Sequence, residues 1–262
     1  MKKSLLYFAM FVVLHVGTAL LFFSCLMLYA WAAGVDSDAL LDAPWVEDTG
    51  LSLAFAVPFL VFIRLRMVRR MLTTRTAGTG KACALAALAT LCIILIESPL
   101  NNALGLEEAV AESDPFASGS VLILFTGCLL GPFVEEMVFR GAMTGSLLAK
   151  RYNIIVTLSL PSLLFAAVHL IPELMPFYFA YGLIAGWFAV RTGSLWPPIA
   201  LHATNNTICA IPDSALPNIE TLGEATATAV EWTLAAIAAV VLTLCVMALN
   251  RGTKTKKSVS YK

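Results

Sequence analysis

Several apolar runs are long enough to cross a lipid bilayer, and they constrain the fold more than any other feature. A transmembrane helix needs about 20 predominantly apolar residues. Of the 262 residues, 59% are hydrophobic and 13% are charged, whereas a soluble domain carries about a quarter charged residues. We therefore predict an all-α, polytopic membrane protein. Its eight predicted transmembrane helices lie near residues 5–33, 51–68, 82–97, 119–147, 153–170, 175–190, 195–211 and 226–249.

Basic and acidic residues alternate between successive loops, and this alternation predicts the orientation of the chain. The basic loops and ends contain Lys2, Lys3, Arg64, Arg66, Arg69, Arg70, Arg75, Lys81, Lys150, Arg151, Arg191, Arg251, Lys254, Lys256, Lys257 and Lys262. The other loops contain Asp36, Asp38, Asp42, Glu47, Asp48, Glu107, Glu108, Glu112, Asp114, Asp213, Glu220 and Glu224. Both termini are predicted to be cytoplasmic. The net charge of zero conceals this separation and gives no reason to expect a nucleic-acid partner.

Ionisable residues inside the predicted spans are concentrated in the fourth, fifth and seventh. The first three spans contain few polar groups besides His15 and the arginines at a span end, and we interpret that histidine as structural. We predict an N-terminal scaffold of three helices over 1–118 and a catalytic helical core over 119–211. Residues 212–262 would form the last helix and a basic cytoplasmic tail. Intramembrane ionisable groups are rare and usually functional, so the core is where we expect a site.

The fourth span contains the sequence Glu135-Glu136-Met137-Val138-Phe139-Arg140. Adjacent helical residues point about 100° apart, so the two glutamates cannot face the same partner. Glu136 and Arg140 are at the i,i+4 spacing with the acid first, which is the favoured order for an ion pair. We predict that Glu136 pairs with Arg140 and that Glu135 faces a cavity. A purely structural ion cluster is the alternative.

Two further motifs place histidines and an amide in later spans. Phe165-x-x-x-His169 ends the fifth span, and His202-x-x-x-Asn206 lies in the seventh. His202 and Asn206 are one turn apart and share a helix face. Such a face can donate hydrogen bonds to developing negative charge, as an oxyanion hole requires. A buried carboxylate such as Glu135 suits general acid–base chemistry.

In this order and on three separate spans, the three motifs resemble the CAAX-protease and bacteriocin-processing family of intramembrane endopeptidases, also called CPBP or Abi. The resemblance covers roughly residues 119–210. It implies eight transmembrane helices around a conical cavity, and hydrolysis of peptide bonds. By motif position, it implies that Glu135 is the general base for water and that His169 helps to hold that water. His202 and Asn206 would stabilise the tetrahedral oxyanion, and Glu136 and Arg140 would support Glu135.

Whether the reaction uses a metal is left open by the residues. Zinc catalysis requires about three protein ligands and an open position for water, and Glu135, His169 and His202 could supply them. The H-E-x-x-H signature of zinc proteases is absent. We favour the metal-free, glutamate-type mechanism with no cofactor, in which Glu135 acts as the base. Zinc remains the alternative.

The expected substrate is a membrane-associated protein or peptide, lipidated ones included, and the expected location is a prokaryotic cell membrane. Two other functions fit intramembrane acids and histidines: a non-catalytic immunity or assembly factor, and a proton-coupled transporter.

A site shared by Glu135, His169 and His202 also constrains where the fifth span ends. His169 lies at its outer end, so that helix must stop short and residues 170–176 must dip inward.

Overall fold

The computed structural model describes residues 1–75, 78–112, 116, 119–211 and 223–253. These residues form helices and turns, with no strand among them. The lysines of the basic tail, and the acidic loop residues Asp114, Asp213 and Glu220, lie outside this described part of the chain. The chain is an all-α, multi-pass integral membrane protein, as its sequence predicts.

We number the helices in chain order and treat Val121–Ala149 as one helix with internal changes of winding. The helices are α1 (Lys2–Ala33), α2 (Ser37–Leu41), α3 (Pro44–Phe62), α4 (Arg66–Thr73), α5 (Thr79–Leu104), α6 (Glu107–Glu112), α7 (Val121–Ala149), α8 (Ile154–Ala167), α9 (Met175–Thr192), α10 (Trp196–Cys209) and α11 (Glu224–Thr253). A 3₁₀ turn at Pro172–Leu174 precedes α9.

Six of the helices are long and apolar enough to cross a membrane: α1, α3, α5, α7, α9 with its preceding turn, and α11. The other two predicted spans are also helical, but α8 and α10 have only 14 residues each. At 1.5 Å per residue, each is about 21 Å long, less than the hydrocarbon thickness of about 30 Å. The prediction for His169 requires the fifth span to stop short, and the short α8 agrees with it.

The predicted second span, 51–68, is placed too late in the chain. Helix α3 begins at Pro44, which occupies the first turn where a missing N–H costs nothing. It ends at Phe62, and a separate helix, α4, follows from Arg66. Helix α4 buries Val68 and Met71 and exposes Arg66, Arg69 and Arg70. The apolar residues that extended the prediction therefore belong to an amphipathic helix.

Helix α7 changes its winding twice around the glutamate pair. The stretches Thr126–Leu130 and Met137–Thr144 are π-helical, and Gly131–Glu136 between them is α-helical. Pro132 has no N–H and its ring crowds the preceding turn. Beside it, the N–H of Gly131 donates to the carbonyl of Thr126, five residues back. Short π stretches are frequent at functional sites.

Helix α7 lies at the centre of the molecule and packs against α1, α3, α4, α8, α9 and α10. Polar links fix the helices around it. The Thr90 hydroxyl of α5 donates to the carbonyl of Leu201 in α10 at 2.9 Å, and the indole N–H of Trp196 donates to the carbonyl of Leu72 at 2.8 Å. Gly193, with a φ of 66°, ends α9 in the left-handed conformation. These contacts fix the start of α10, which carries His202 and Asn206.

Candidate active site

Glu136 and Arg140 form a fully buried ion pair. Arg140 Nη1 donates to Glu136 Oε1 at 2.9 Å, and the two side chains are 1% and 0% exposed. Arg140 Nη2 donates to the carbonyl of Gly182 at 3.2 Å, and the guanidinium lies 4.6 Å from the centre of the Phe165 ring. The predicted pairing is confirmed, and it links α7 to α8 and α9.

His202 lies between the two glutamates. Its Nδ1 donates to Glu136 Oε1 at 3.1 Å, while its Nε2 lies 3.8 Å from Glu135 Oε2. A carboxylate that accepts from one ring nitrogen fixes the orientation of the imidazole and the tautomer that it adopts. It also stabilises the ring when the second nitrogen is protonated. Nε2 is therefore the ring nitrogen that His202 presents to Glu135 and to a reactant.

Glu135 is the less constrained carboxylate of the pair. Its side chain is 15% exposed, whereas that of Glu136 is fully buried. Glu135 Oε2 is buried and has no hydrogen-bond partner among the described residues. Buried polar atoms are almost always paired, so an unpaired carboxylate oxygen at this position is available to bind a reactant.

Phe165 packs between the two motif histidines. Its ring centre lies 4.8 Å from that of His169 and 5.7 Å from that of His202, in edge-on contacts. His169 Nδ1 donates to the Phe165 carbonyl at 2.8 Å, which leaves Nε2 as the free nitrogen. The charge of Glu135 acts on the His169 ring. The structure thus brings His169 into the neighbourhood of Glu135 and His202.

The segment after His169 has the turn that the shared site requires. Leu170 adopts a φ of 59°, in the left-handed region that branched side chains rarely enter. The 3₁₀ turn then leads into α9, where Tyr178 stacks on His169 with ring centres 4.0 Å apart. The end of α8 is therefore defined by a sharp reversal that holds the His169 ring against α9.

Asn206 has one amide hydrogen already engaged. Its Nδ2 donates to the carbonyl of Gly127 at 2.8 Å, in the first π-helical stretch of α7. A side chain at position 127 would collide with Phe116, so glycine permits the close packing of Phe116 against this turn of α7. A primary amide carries two N–H donors. The second one remains for the oxyanion contact predicted from the motif.

Tyr181 and Glu97 belong to this region although neither was singled out in the sequence. The Tyr181 ring packs edge-on against His202, with centres 5.8 Å apart. The charges of Glu136 and Glu97 both act on Tyr181. A tyrosine in an apolar span carries one polar atom, which usually needs a partner. That hydroxyl is the sequence feature that could have identified Tyr181. Glu97 lies within α5, whose helix continues past the predicted end at 97 to Leu104.

His15, interpreted as structural, is closer to the site than its sequence context indicates. Its ring lies 4.7 Å from that of Phe55 and 5.4 Å from that of Phe11. The charge of Glu135 acts on it, and its Nδ1 is buried without a partner in the described part of the chain. The aromatic packing agrees with a structural role.

Each motif histidine presents one ring nitrogen to a reactant or a metal ion. His202 uses Nδ1 for Glu136, and His169 uses Nδ1 for a backbone carbonyl, so the Nε2 atoms remain for a ligand. Metal-ligating histidines are held through their second nitrogen in the same way. Across the described ranges, no three His, Cys, Asp or Glu side chains are placed to hold one metal ion. The metal-free mechanism and the zinc alternative both remain predictions.

The segment that carries the site is similar to a described protein family. Residues 117–208 match the family described as type II CAAX prenyl endopeptidase Rce1-like. The matched segment contains the three motifs, from Glu135 to Asn206. No solved structure matches the chain at a significant level.

Two relatives of this CAAX endopeptidase-like chain come from bacteria. The chain is 30% identical over 90 residues to a protein of Bacillus subtilis (strain 168) named putative membrane peptidase YdiL, covering 34% of this chain and 36% of that protein. It is 34% identical over 110 residues to the membrane-embedded CAAX protease MroQ of Staphylococcus aureus (strain USA300), covering 40% and 44%. The similarity thus spans less than half of each relative.

Proposed function

We propose that this protein is an intramembrane endopeptidase that hydrolyses peptide bonds of membrane-associated proteins or peptides. The observation that carries the proposal is the unpartnered Oε2 of Glu135, 3.8 Å from His202 Nε2 and beside the fixed Glu136–Arg140 pair. Together these groups provide a base and a hydrogen-bond donor next to each other, as amide hydrolysis needs. The names of the matched family and of both relatives support the same class of reaction.

The proposed reaction begins with water held between Glu135 and His169. Glu135 takes a proton from the water, and the water oxygen bonds to the carbonyl carbon of the substrate. The electron pair of the carbonyl π bond moves to its oxygen, which accepts hydrogen bonds from His202 and Asn206. The C–N bond then breaks, and the proton on Glu135 passes to the departing nitrogen. The products are a carboxylic acid and an amine.

In this scheme, Glu136 and Arg140 act through their neighbours. Glu136 fixes His202 through Nδ1 and compensates its positive charge, and Arg140 prevents Glu136 from being an unpaired buried anion. Removing either partner of a buried pair typically costs about 3–5 kcal/mol. The pair is thus a precondition for the oxyanion donor, and Glu135 remains free to exchange protons.

Lipidated substrates are proposed from the family description, which names a CAAX prenyl endopeptidase. The direct assay uses purified protein in liposomes with an internally quenched peptide that ends in a prenylated CAAX sequence. The same peptide without the prenyl group is the comparison substrate. Cleavage of the prenylated peptide, lost in Glu135→Ala but kept in the exposed-acid control Glu108→Gln, supports the proposal.

A second assay identifies natural substrates in cells. Membrane proteomes of a wild-type strain and a Glu135→Ala strain are compared by mass spectrometry of protein termini. We expect a small set of termini in the wild type and the corresponding uncut proteins in the variant. Identical termini in both strains, with both proteins inserted at equal levels, would refute an endopeptidase function that depends on Glu135.

The metal-free mechanism is tested by elemental analysis of purified, active protein. We expect activity without stoichiometric zinc, and full activity after exhaustive treatment with a chelator. One zinc per chain that is lost together with activity, and restored with it, would replace this mechanism by a zinc-dependent one.

A further inference from the structure

The hydroxyl of Tyr181 is an unused donor inside the candidate site. Tyr181 is only 7% exposed, and its oxygen is buried with no hydrogen-bond partner among the described residues. Buried tyrosine hydroxyls usually find a partner, and leaving such a group unpaired is unfavourable. A feature this unfavourable at a candidate site indicates that the hydroxyl has a partner during function.

The Tyr181 ring is held firmly in place. It stacks on Phe165, with ring centres 6.3 Å apart and 20° between the planes, and meets His202 edge-on at 5.8 Å. The next residue, Gly182, packs so closely on α8 that an added Cβ would lie 2.8 Å from Ser162 Cβ. Its carbonyl also accepts from Arg140. The hydroxyl is therefore positioned by the same contacts that position the Glu136–Arg140 pair.

Three unpartnered atoms, one each on Tyr181, Glu135 and Glu136, have complementary hydrogen-bonding characters. Tyr181 supplies a donor, because a phenol is protonated at neutral pH, and Glu135 Oε2 and Glu136 Oε2 are both unpartnered acceptors. The charges of Glu136, Arg140 and Glu97 act on Tyr181. A peptide group with an attacking water has a carbonyl acceptor and N–H and O–H donors. It can satisfy all three unpartnered atoms.

We infer that the Tyr181 hydroxyl donates a hydrogen bond to the scissile carbonyl oxygen of the substrate, and that this bond strengthens as the oxygen becomes negative. Tyr181 would then join His202 and Asn206 as a third donor to the oxyanion. No proton is transferred, since the hydroxyl only shares its hydrogen with the oxygen that receives the electron pair. This inference rests on the proposed function.

The test compares Tyr181→Phe with wild type on the quenched prenylated CAAX peptide in liposomes. Phenylalanine keeps the ring contacts and removes only the hydroxyl. Loss of one oxyanion donor lowers kcat by about 10²-fold, and we expect that loss with little change in KM. Tyr152→Phe is the matched control, because Tyr152 is 38% exposed and lies outside the site. A kcat within about twofold of wild type, or an effect confined to KM, overturns the inference.

A binding measurement separates this role from a structural one. The hydrate of a peptide aldehyde imitates the tetrahedral intermediate, and we expect Tyr181→Phe to bind that aldehyde about tenfold more weakly. Its Tm should equal or exceed that of wild type, because the substitution removes an unpaired buried hydroxyl. A lower Tm with unchanged aldehyde affinity overturns the inference. If wild type fails to cleave, or Glu135→Gln cleaves normally, the proposed function fails and this inference falls with it. If only Tyr181→Phe behaves as wild type, the inference alone fails.

Discussion

Helices α1 and α7 are both long and apolar, yet they occupy opposite environments. In the 32 residues of α1, the buried positions are Ser4, Phe11 and Ala30, whereas every residue of the π-helical stretch Met137–Thr144 in α7 is buried. By mean hydropathy alone, α1 is the more apolar span, with a value of 2.3 against 1.8 for α7. Hydropathy thus identifies which segments enter the membrane. Burial within the protein identifies which of them can hold charges.

The difference explains why Glu136 and Arg140 are tolerated in α7. In a low-dielectric interior, an ion pair needs further hydrogen bonds from its surroundings. Arg140 has Glu136, the Gly182 carbonyl and the Phe165 face, and Glu136 also accepts from His202. Helix α1 faces outward and provides no such surroundings. The charged residues therefore mark the helix that the other helices enclose.

The largest effect is expected when the buried pair of Glu136 and Arg140 in α7 is broken. Arg140→Met leaves Glu136 as an unpaired buried anion, so the free energy of unfolding in mixed micelles should fall by about 3–5 kcal/mol. Arg69→Met on the exposed face of α4 should change it by less than about 0.5 kcal/mol. Equal effects of the two substitutions would show that the Arg140 pair is not a structural requirement.

The next effect separates His15 of α1 from His202 of α10, which contacts the glutamates of α7. His202→Gln removes the donor between the two glutamates, and cleavage should fall by about 10²–10³-fold. His15→Gln should retain most of the cleavage rate, because the His15 ring is held by Phe11 and Phe55. The measurement is kcat on the quenched prenylated peptide. A loss at His15 as large as that at His202 would extend the site to α1.

The smallest effect compares two glycines. Gly182→Ala places a methyl group 2.8 Å from Ser162 Cβ and 3.1 Å from Ser162 Cα, and overpacking of this kind costs about 1–3 kcal/mol. Gly17→Ala on α1 meets nothing within 4 Å and should stabilise the helix by up to about 1 kcal/mol. Thermal unfolding in detergent measures both. Stabilisation by Gly182→Ala would contradict the close contact between α8 and α9.

Much of this arrangement follows from sequence patterns with a short range. Apolar runs predicted where the helices lie, and the i,i+4 spacing predicted the pair of Glu136 and Arg140, since both depend on residues close in the chain. The predicted second span continued beyond Phe62 because hydropathy does not separate a spanning helix from an amphipathic one such as α4. The contacts of Tyr181 and Asn206 join distant helices, so no local pattern could reveal them.

The roles assigned within the site remain predictions that rest on the motifs and the geometry. Three further statements also remain predictions: the orientation of both termini, the three-part division of the chain and the oxyanion contact of Asn206. For Asn206, the structure adds a constraint: one amide hydrogen holds Gly127. Its replacement would therefore disturb the packing of α7 against α10 together with any contact to substrate.

The central claim is that two neighbouring glutamates divide their work, with Glu136 holding the site together and Glu135 performing the chemistry. The most direct test measures Tm and cleavage of the prenylated peptide for Glu135→Gln and Glu136→Gln, side by side. We predict that Glu135→Gln keeps the wild-type Tm and loses cleavage, whereas Glu136→Gln lowers Tm because Arg140 loses its counter-charge. Cleavage at the wild-type rate by folded Glu135→Gln would contradict the account.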